Sequence, residues 1–225
     1  MIKAILFDLD QTLIDFITMK KKASGKAADA MVKAGLKIDQ KTAGKELFDF
    51  YLKNGIDGNT AFQEFIKKHN GEMSDKILAA ALNAYLDAKR HYVKPYPDVV
   101  PTLKKLKKKG IKLAIVTDAP RLKAYMRLDS MGITDFFDVV VGFEDTGEAK
   151  PSSLPFRKAL KELNVKPEEA MMVGDWPEKD VLGAQKVGIK ACWASYGAAR
   201  ANSKIKADYV IKKFGEIMGI ATIDN

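Results

Sequence analysis

A parallel α/β sheet carrying one all-helical insert is predicted by three features of this 225-residue chain. Short apolar runs recur at Ile2–Phe7, Lys112–Thr117, Val139–Gly142, Ala170–Val173 and Lys190–Ala194, each separated from the next by a segment with helical periodicity. Strand alternating with helix is the mark of a parallel sheet. The stretch between Asp15 and about Tyr92 breaks that alternation, since it holds several helical patterns and no strand-like run. Finally, carboxylates stand directly after the first and fourth runs, where open parallel sheets place their ligands. The expected architecture is a Rossmann-like, doubly wound core over residues 1–15 and 94–225, with an all-helical cap domain inserted over 16–93.

Each element has a local reason. Ile2–Phe7 is almost wholly apolar, as suits a central strand buried on both faces. In the insert, one helix is expected over Ile17–Ala34, and a second follows Asp39 as N-cap to about Asn54. A third follows Asn59, and a fourth follows Ser74 to about His91. Asn54-Gly55, Asp57-Gly58 and Asn70-Gly71 are turn dipeptides between them. Pro95-Tyr96-Pro97 makes a stiff return to the core. Pro97 and Asp98 then open a helix that Gly110 closes, and the Arg121–Met131 segment stops at Gly132.

Composition narrows the function. With 47% hydrophobic and 30% charged residues the chain is an ordinary globular protein, long enough to bury a sizeable core. No apolar run approaches the ~20 residues of a membrane span, and the N-terminus MIKAILFDLD enters a strand rather than a leader, so the cytoplasm is the expected location. The single cysteine, Cys192, lies in the apolar run KACWA, which leaves neither an internal disulfide nor a CxxC metal site. The net charge of +9 favours anionic partners. Its densest stretch, Lys104, Lys105, Lys107, Lys108 and Lys109, surrounds Leu103 and Leu106 at helical spacing and reads as a solvated helix face, so nucleic acid is not expected as a partner. Both histidines, His69 and His91, fall in the insert, which argues against a histidine nucleophile or base in the core.

The chemistry-bearing residues all stand at ends of the apolar runs. Asp8 and Asp10 follow the first, Thr117 and Asp118 the second, and Gly174, Asp175 and Asp180 the fourth; Lys150 stands just before Pro151. Taken singly, each has an ordinary structural reading as a cap, a turn or a surface group. Together they put carboxylates, a hydroxyl and a cation on one sheet edge. Carboxylates that converge cannot all stay ionised in a dry site without a cation, and hard oxygen ligands select Mg²⁺.

Their order carries a resemblance. FDLDQTL with Asp8, Asp10 and Thr12, IVTD with Thr117, then Lys150, then VGDWPEKD with Asp175 and Asp180 resemble the four motifs of the haloacid dehalogenase-like hydrolases, in order and over nearly the whole chain. The helical insert matches the cap that one subgroup, including phosphoglycolate phosphatase-like members, carries between its first two motifs. The resemblance implies an Mg²⁺-dependent phosphatase of small phosphorylated metabolites. Asp8 would be the nucleophile, forming an aspartyl-phosphate, and Asp10 the general acid and base. The metal would lie on the Asp8 carboxylate, the Asp10 carbonyl and Asp175, with Asp180 supporting a metal-bound water. Thr117 and the Asp118 amide would hold phosphoryl oxygens, while Lys150 orients Asp8 and neutralises charge. An acid at position 10 favours a phosphate over a halide leaving group.

Two residues depart from the family pattern: Gln11 stands where Gly is usual, and Trp176 follows Asp175 where smaller residues are commoner. Substrate choice is expected from the Gly55–Asn59 turn and from Phe16 and Met19. A phosphomutase of the same family, or a non-catalytic binding or regulatory protein on the same fold, would share these features. A phosphonate hydrolase would need a special lysine in the insert, and none stands out by sequence. The oligomeric state is not read from the sequence.

Overall fold

The computed structural model describes residues 1–54, 60–197 and 204–221. The chain divides into two compact units, Met1–Asp15 with Lys94–Asn225, and Phe16–Val93.

The first unit is built on a sheet of strands β1 (Ala4–Phe7), β2 (Lys112–Val116), β3 (Val139–Val141), β4 (Ala170–Gly174), β5 (Lys190–Ala194) and β6 (Tyr209–Ile211). Their spatial order is β3-β2-β1-β4-β5-β6, and every neighbouring pair is parallel. All of β1 is buried, because its alternating residues supply both faces. Ala4 and Leu6 join Phe156 and Leu163 of the helix Ser153–Leu163 in one core cluster. Phe7, turned to the other face, meets the rings of Phe214 at 5.4 Å and Phe137 at 6.4 Å. Each such large apolar side chain contributes roughly 1.5–3 kcal/mol by leaving water. With both faces covered, the sheet is doubly wound. The winding reverses between β1 and β4, and a crevice at such a reversal is where open α/β sheets bind ligands.

Strand β6 was not among the apolar runs. It has three residues, lies at the sheet edge and leaves Val210 53% exposed, so it is too short for a period to register. Its register comes instead from Asp208, whose side chain accepts the Ala191 N–H at 2.8 Å while its own N–H donates to the Ala191 carbonyl at 2.9 Å.

The second unit is helical: α1 (Phe16–Ala34), α2 (Gln40–Asn54), α3 (Ala61–Asn70) and α4 (Asp75–Tyr92). Met31, Leu47, Phe62, Phe65 and Ile66 are among the residues of its own core. Gly44 lets α2 approach α1, since a Cβ there would lie 3.2 Å from the Gly25 Cα. Ser74 caps α4 by accepting the Ile77 N–H at 3.4 Å. One lysine of this unit does stand apart. Lys20 is buried, with its ammonium 3.0 Å from the Tyr85 hydroxyl and 3.5 Å from the centre of the Tyr51 ring. The Gly55–Asn59 turn lies outside the described residues.

The chain leaves and re-enters the first unit at neighbouring points. Ile14 and Pro95 form an antiparallel bridge, and the Tyr96 N–H donates to the Leu13 carbonyl at 2.9 Å. The helix that follows, α5 (Val99–Lys108), begins after Asp98 as expected, but the Asp98 carboxylate does not cap it. It accepts the Gly215 N–H at 2.7 Å instead. Lys104, Lys105, Lys108 and Lys109 are exposed, and Lys107 pairs with Asp138 at 2.8 Å, so the basic run is a solvated face. Among the described residues no helix is long and apolar enough to cross a membrane.

Candidate active site

Three strand ends of the first unit, those of β1, β2 and β4, supply the site together with the loop between β3 and the helix Ser153–Leu163. Asp8 follows β1 directly, and its N–H donates to the Val173 carbonyl of β4 at 2.9 Å, so the backbone ladder itself carries Asp8 to the reversal point. Asp175 follows β4. Asp8, Asp175 and Asp180 each offer a carboxylate oxygen within 4.8 Å of the others. Asp180 reaches back from the turn Pro177–Val181 and accepts the Trp176 N–H at 3.0 Å. Gly174 makes that return possible, because a Cβ there would overlap the Asp180 carboxylate.

Lys150 sits among these acids, 4% exposed. Its ammonium donates to Asp8 Oδ1 at 2.6 Å, to Asp180 Oδ1 at 2.6 Å and to the Val116 carbonyl at 3.0 Å. An ammonium has three hydrogens. In this arrangement all three have acceptors. Burial alone would lower this ammonium, but the surrounding Asp180, Asp8 and Asp118 raise it well above the ordinary lysine range, so it stays charged.

One cation is not enough for this set. Burial, with repulsion from Asp180 and Asp10, lifts Asp8 to about 7 against the opposing pull of Lys150. Burial, then the charges of Asp8 and Asp180, lift Asp175 to about 8. Close, buried carboxylates pushed towards protonation are a donor set that a hard cation would relieve. The residues present therefore fit a divalent metal ion. They do so with oxygen donors only, and Asp180 already has one oxygen on Lys150 and the other on the Trp176 amide.

Thr117 is 5% exposed, and its hydroxyl oxygen accepts the Ala119 N–H at 3.1 Å, which leaves its own hydrogen to be donated elsewhere. The Asp118 side chain is occupied structurally. It accepts the Lys150 N–H at 2.9 Å and pairs with Lys179 at 2.7 Å, bracing the loop that presents Lys150. Lys179 also lies 4.2 Å from the centre of the half-buried Trp176 ring.

Asp10, half-buried, has its Oδ2 2.6 Å from the guanidinium of Arg127. Arg127 belongs to the helix α6 (Arg121–Ser130), numbered after α5. Sequence reasoning missed this residue. A signal existed, for Arg127 shares the buried face with Ala124 and Leu128, where a charge needs a partner. Gln11 adopts φ +62°, the left-handed conformation that glycine takes without strain, and its amide donates to the Gly197 carbonyl at 3.3 Å. A Cβ on Gly197 would overlap the Gln11 carbonyl, so the two loops pack backbone to backbone. Below them the Tyr196 hydroxyl donates to the Thr12 carbonyl at 2.7 Å, and the Thr12 hydroxyl lies 3.5 Å from Asp8 Oδ2. Phe16 and Met19 are buried, as is Cys192, whose thiol burial pushes up to about 12.

A profile of the haloacid dehalogenase-like hydrolases matches residues 5–194. The chain belongs to this family. A protein of Pyrococcus furiosus named glyceraldehyde 3-phosphate phosphatase is 35% identical over 227 positions, covering 100% of this chain and 95% of its own. A phosphoglycolate phosphatase of Aquifex aeolicus is 30% identical, covering 96% of this chain and 95% of its own. The crystal structure of a phosphatase of the family from Thermococcus onnurineus superposes with a TM-score of 0.69 at 29% identity, covering 98% of each chain. The haloacid dehalogenase-like chain described here is thus a hydrolase whose relatives are named as phosphatases.

Proposed function

We propose that this chain is an Mg²⁺-dependent phosphatase of small phosphomonoesters that works through an aspartyl-phosphate on Asp8. The observation that carries the reading is the Lys150 ammonium held between Asp8 and Asp180, beside Asp175, at the reversal point of the sheet. With one oxygen fixed by Lys150, the other oxygen of Asp8 is the attacking atom. It bonds to phosphorus as the ester P–O bond breaks. The bond pair leaves on the alcohol oxygen, which takes a proton from Asp10. Asp10, now a carboxylate, removes a proton from water, the water oxygen bonds to phosphorus, and the Asp8–phosphorus bond breaks to return the carboxylate. Thr117 donates its free hydroxyl hydrogen to a phosphoryl oxygen, alongside the Asp118 amide. Asp8, the Asp10 carbonyl and Asp175 would hold the metal, with the Asp180 carboxylate close beside them. When bound, Mg²⁺ supplies positive charge to the phosphoryl oxygens.

The named activities of the relatives, on glyceraldehyde 3-phosphate and phosphoglycolate, make two- and three-carbon phosphates with a second oxygen function the substrate class to test first. The helical unit is inserted where the family's cap would stand, between the segment bearing Asp8 and Asp10 and the segment bearing Thr117. A single buried thiol and metabolite-sized substrates fit the cytoplasm. The test is phosphate release from a panel of small phosphomonoesters, with and without Mg²⁺, for the native chain and Asp8→Asn. Release that needs both Mg²⁺ and Asp8 supports the reading. A folded native chain that releases none, or that only moves phosphate within a sugar phosphate, would replace it with a binding role or a mutase.

A further inference from the structure

We propose that Arg127 is the positioning residue for Asp10: its buried guanidinium sets the direction of the carboxylate that exchanges protons with leaving group and water. The inference rests on the reading of Asp10 as general acid and base, and it concerns orientation, not charge.

Arg127 is the largest fully buried side chain among the described residues, at 1% exposure. Burying a guanidinium is expensive unless a carboxylate meets it, and packing alone would have been served better by an aliphatic residue at this position between Ala124 and Leu128. The carboxylate it meets is Asp10, from a segment 117 residues away in the chain, at 2.6 Å. Asp10 bridges to Ile14 at the start of a turn, immediately before Gln11 in its left-handed conformation. Holding Oδ2 fixes rotation about the Cβ–Cγ bond and hence the plane of the whole carboxylate.

The holder is itself held. The N-terminus of α6 is fastened to the segment after β3: the Arg121 N–H donates to Glu144 at 2.8 Å, the Arg121 guanidinium pairs with Asp145, and Asp145 accepts the Gly142 N–H at 2.8 Å. A Cβ on Gly142 would come within 2.6 Å of the Arg121 backbone, so helix and loop are in direct contact. At the other end Leu128 is buried and Gly132 closes the helix with φ +64°. A guanidinium on a rigid helix is the kind of support that keeps a reacting group within the fraction of an ångström that proton transfer requires. Misplacement by about 1 Å can cost ~10²-fold in rate.

The two half-reactions give a test. Loss of Asp10 orientation slows transfer to water with every substrate, but slows phosphorylation of Asp8 only when the leaving group needs a proton. Native chain, Arg127→Met, Arg127→Lys and Asp10→Asn would be compared by rapid quench on p-nitrophenyl phosphate and by steady-state turnover on glycerol phosphate. Expected for Arg127→Met is a fall in kcat of ~10²-fold on glycerol phosphate at unchanged KM. On p-nitrophenyl phosphate it should show a burst of nitrophenol near one per site before a slow phase. Arg127→Lys, which keeps the charge without the planar fork, should fall less, and it decides the matter if Arg127→Met does not fold.

Native kcat in the folded Arg127 variants overturns the proposal. So does an equal loss on both substrates without a burst, which is what general loosening would produce. Asp10→Asn separates this from the underlying reading. If it turns over normally, Asp10 is not the acid and base; if it shows the burst while the Arg127 variants behave as native, only the positioning role fails.

Discussion

The Nζ of Lys150 lies 2.6 Å from Asp8 Oδ1 and 2.6 Å from Asp180 Oδ1, so one ammonium ties the ends of β1 and β4 together through side chains as well as through the ladder. Removing it leaves buried carboxylates facing each other, and breaking a buried pair in this way typically costs about 3–5 kcal/mol. Lys150→Met should therefore lower the unfolding free energy measured in urea by that order, and with it the midpoint, and reduce turnover by at least ~10²-fold. Saturating Mg²⁺ should recover part of the stability and little of the rate. An unchanged midpoint would mean that the acids are not charged around Lys150 as drawn.

The raised positions of Asp8, about 7, and Asp175, about 8, make a pH prediction with a definite sign. Both lie above the unfolded carboxylate value of 3.8, so the folded chain binds more protons than the unfolded one in between. Their contribution to stability is present at low pH and is lost as pH rises through 7 to 8. In EDTA, Tm should fall between pH 5 and 8.5, at roughly 2–4 °C for each kcal/mol lost in a chain of this length. Mg²⁺ competes with those protons, so the rise in Tm that it causes should grow over the same interval. A metal effect that does not change with pH would contradict the assignment of the ion to these acids.

Two glycine-to-alanine changes should act in opposite directions. At Gly174 a methyl group would displace the Asp180 side chain. Gly174→Ala should destabilise by about 1–3 kcal/mol, the usual range for overpacking, and abolish turnover. Gly25 lies inside α1 with open space where a Cβ would go, and alanine is the better helix former by about 0.5–1 kcal/mol. Gly25→Ala should raise Tm with kcat unchanged. Thermal melts and one turnover assay check both.

Much of the core could be read from the chain because its signals are local. The five apolar runs are strands to within two residues, and helix starts such as Ser74 and stops such as Gly132 are written into the residue types that cap helices. The acids at strand ends converge because parallel strands deliver their C-termini to one edge. What escaped depends on tertiary partners. Nothing near Arg127 in sequence announces Asp10, nothing near Asp118 announces Lys179, and Asp98 looks like a helix cap yet binds Gly215. Gln11 shows the same limit: its sequence neighbours do not reveal that it is a left-handed residue held by a loop that arrives 186 residues later.

The Ile14–Pro95 bridge and the Tyr96–Leu13 hydrogen bond bring the points where the chain leaves and re-enters the sheet unit side by side. To the sheet unit, all of residues 16–93 amount to one long hairpin loop, and closing a loop becomes harder only with the logarithm of its length. Descent with modification can thus lengthen, shorten or exchange this cassette while the strand ends bearing Asp8, Thr117 and Asp175, and the loop bearing Lys150, go unaltered. Diversity of substrate and constancy of chemistry can be inherited separately.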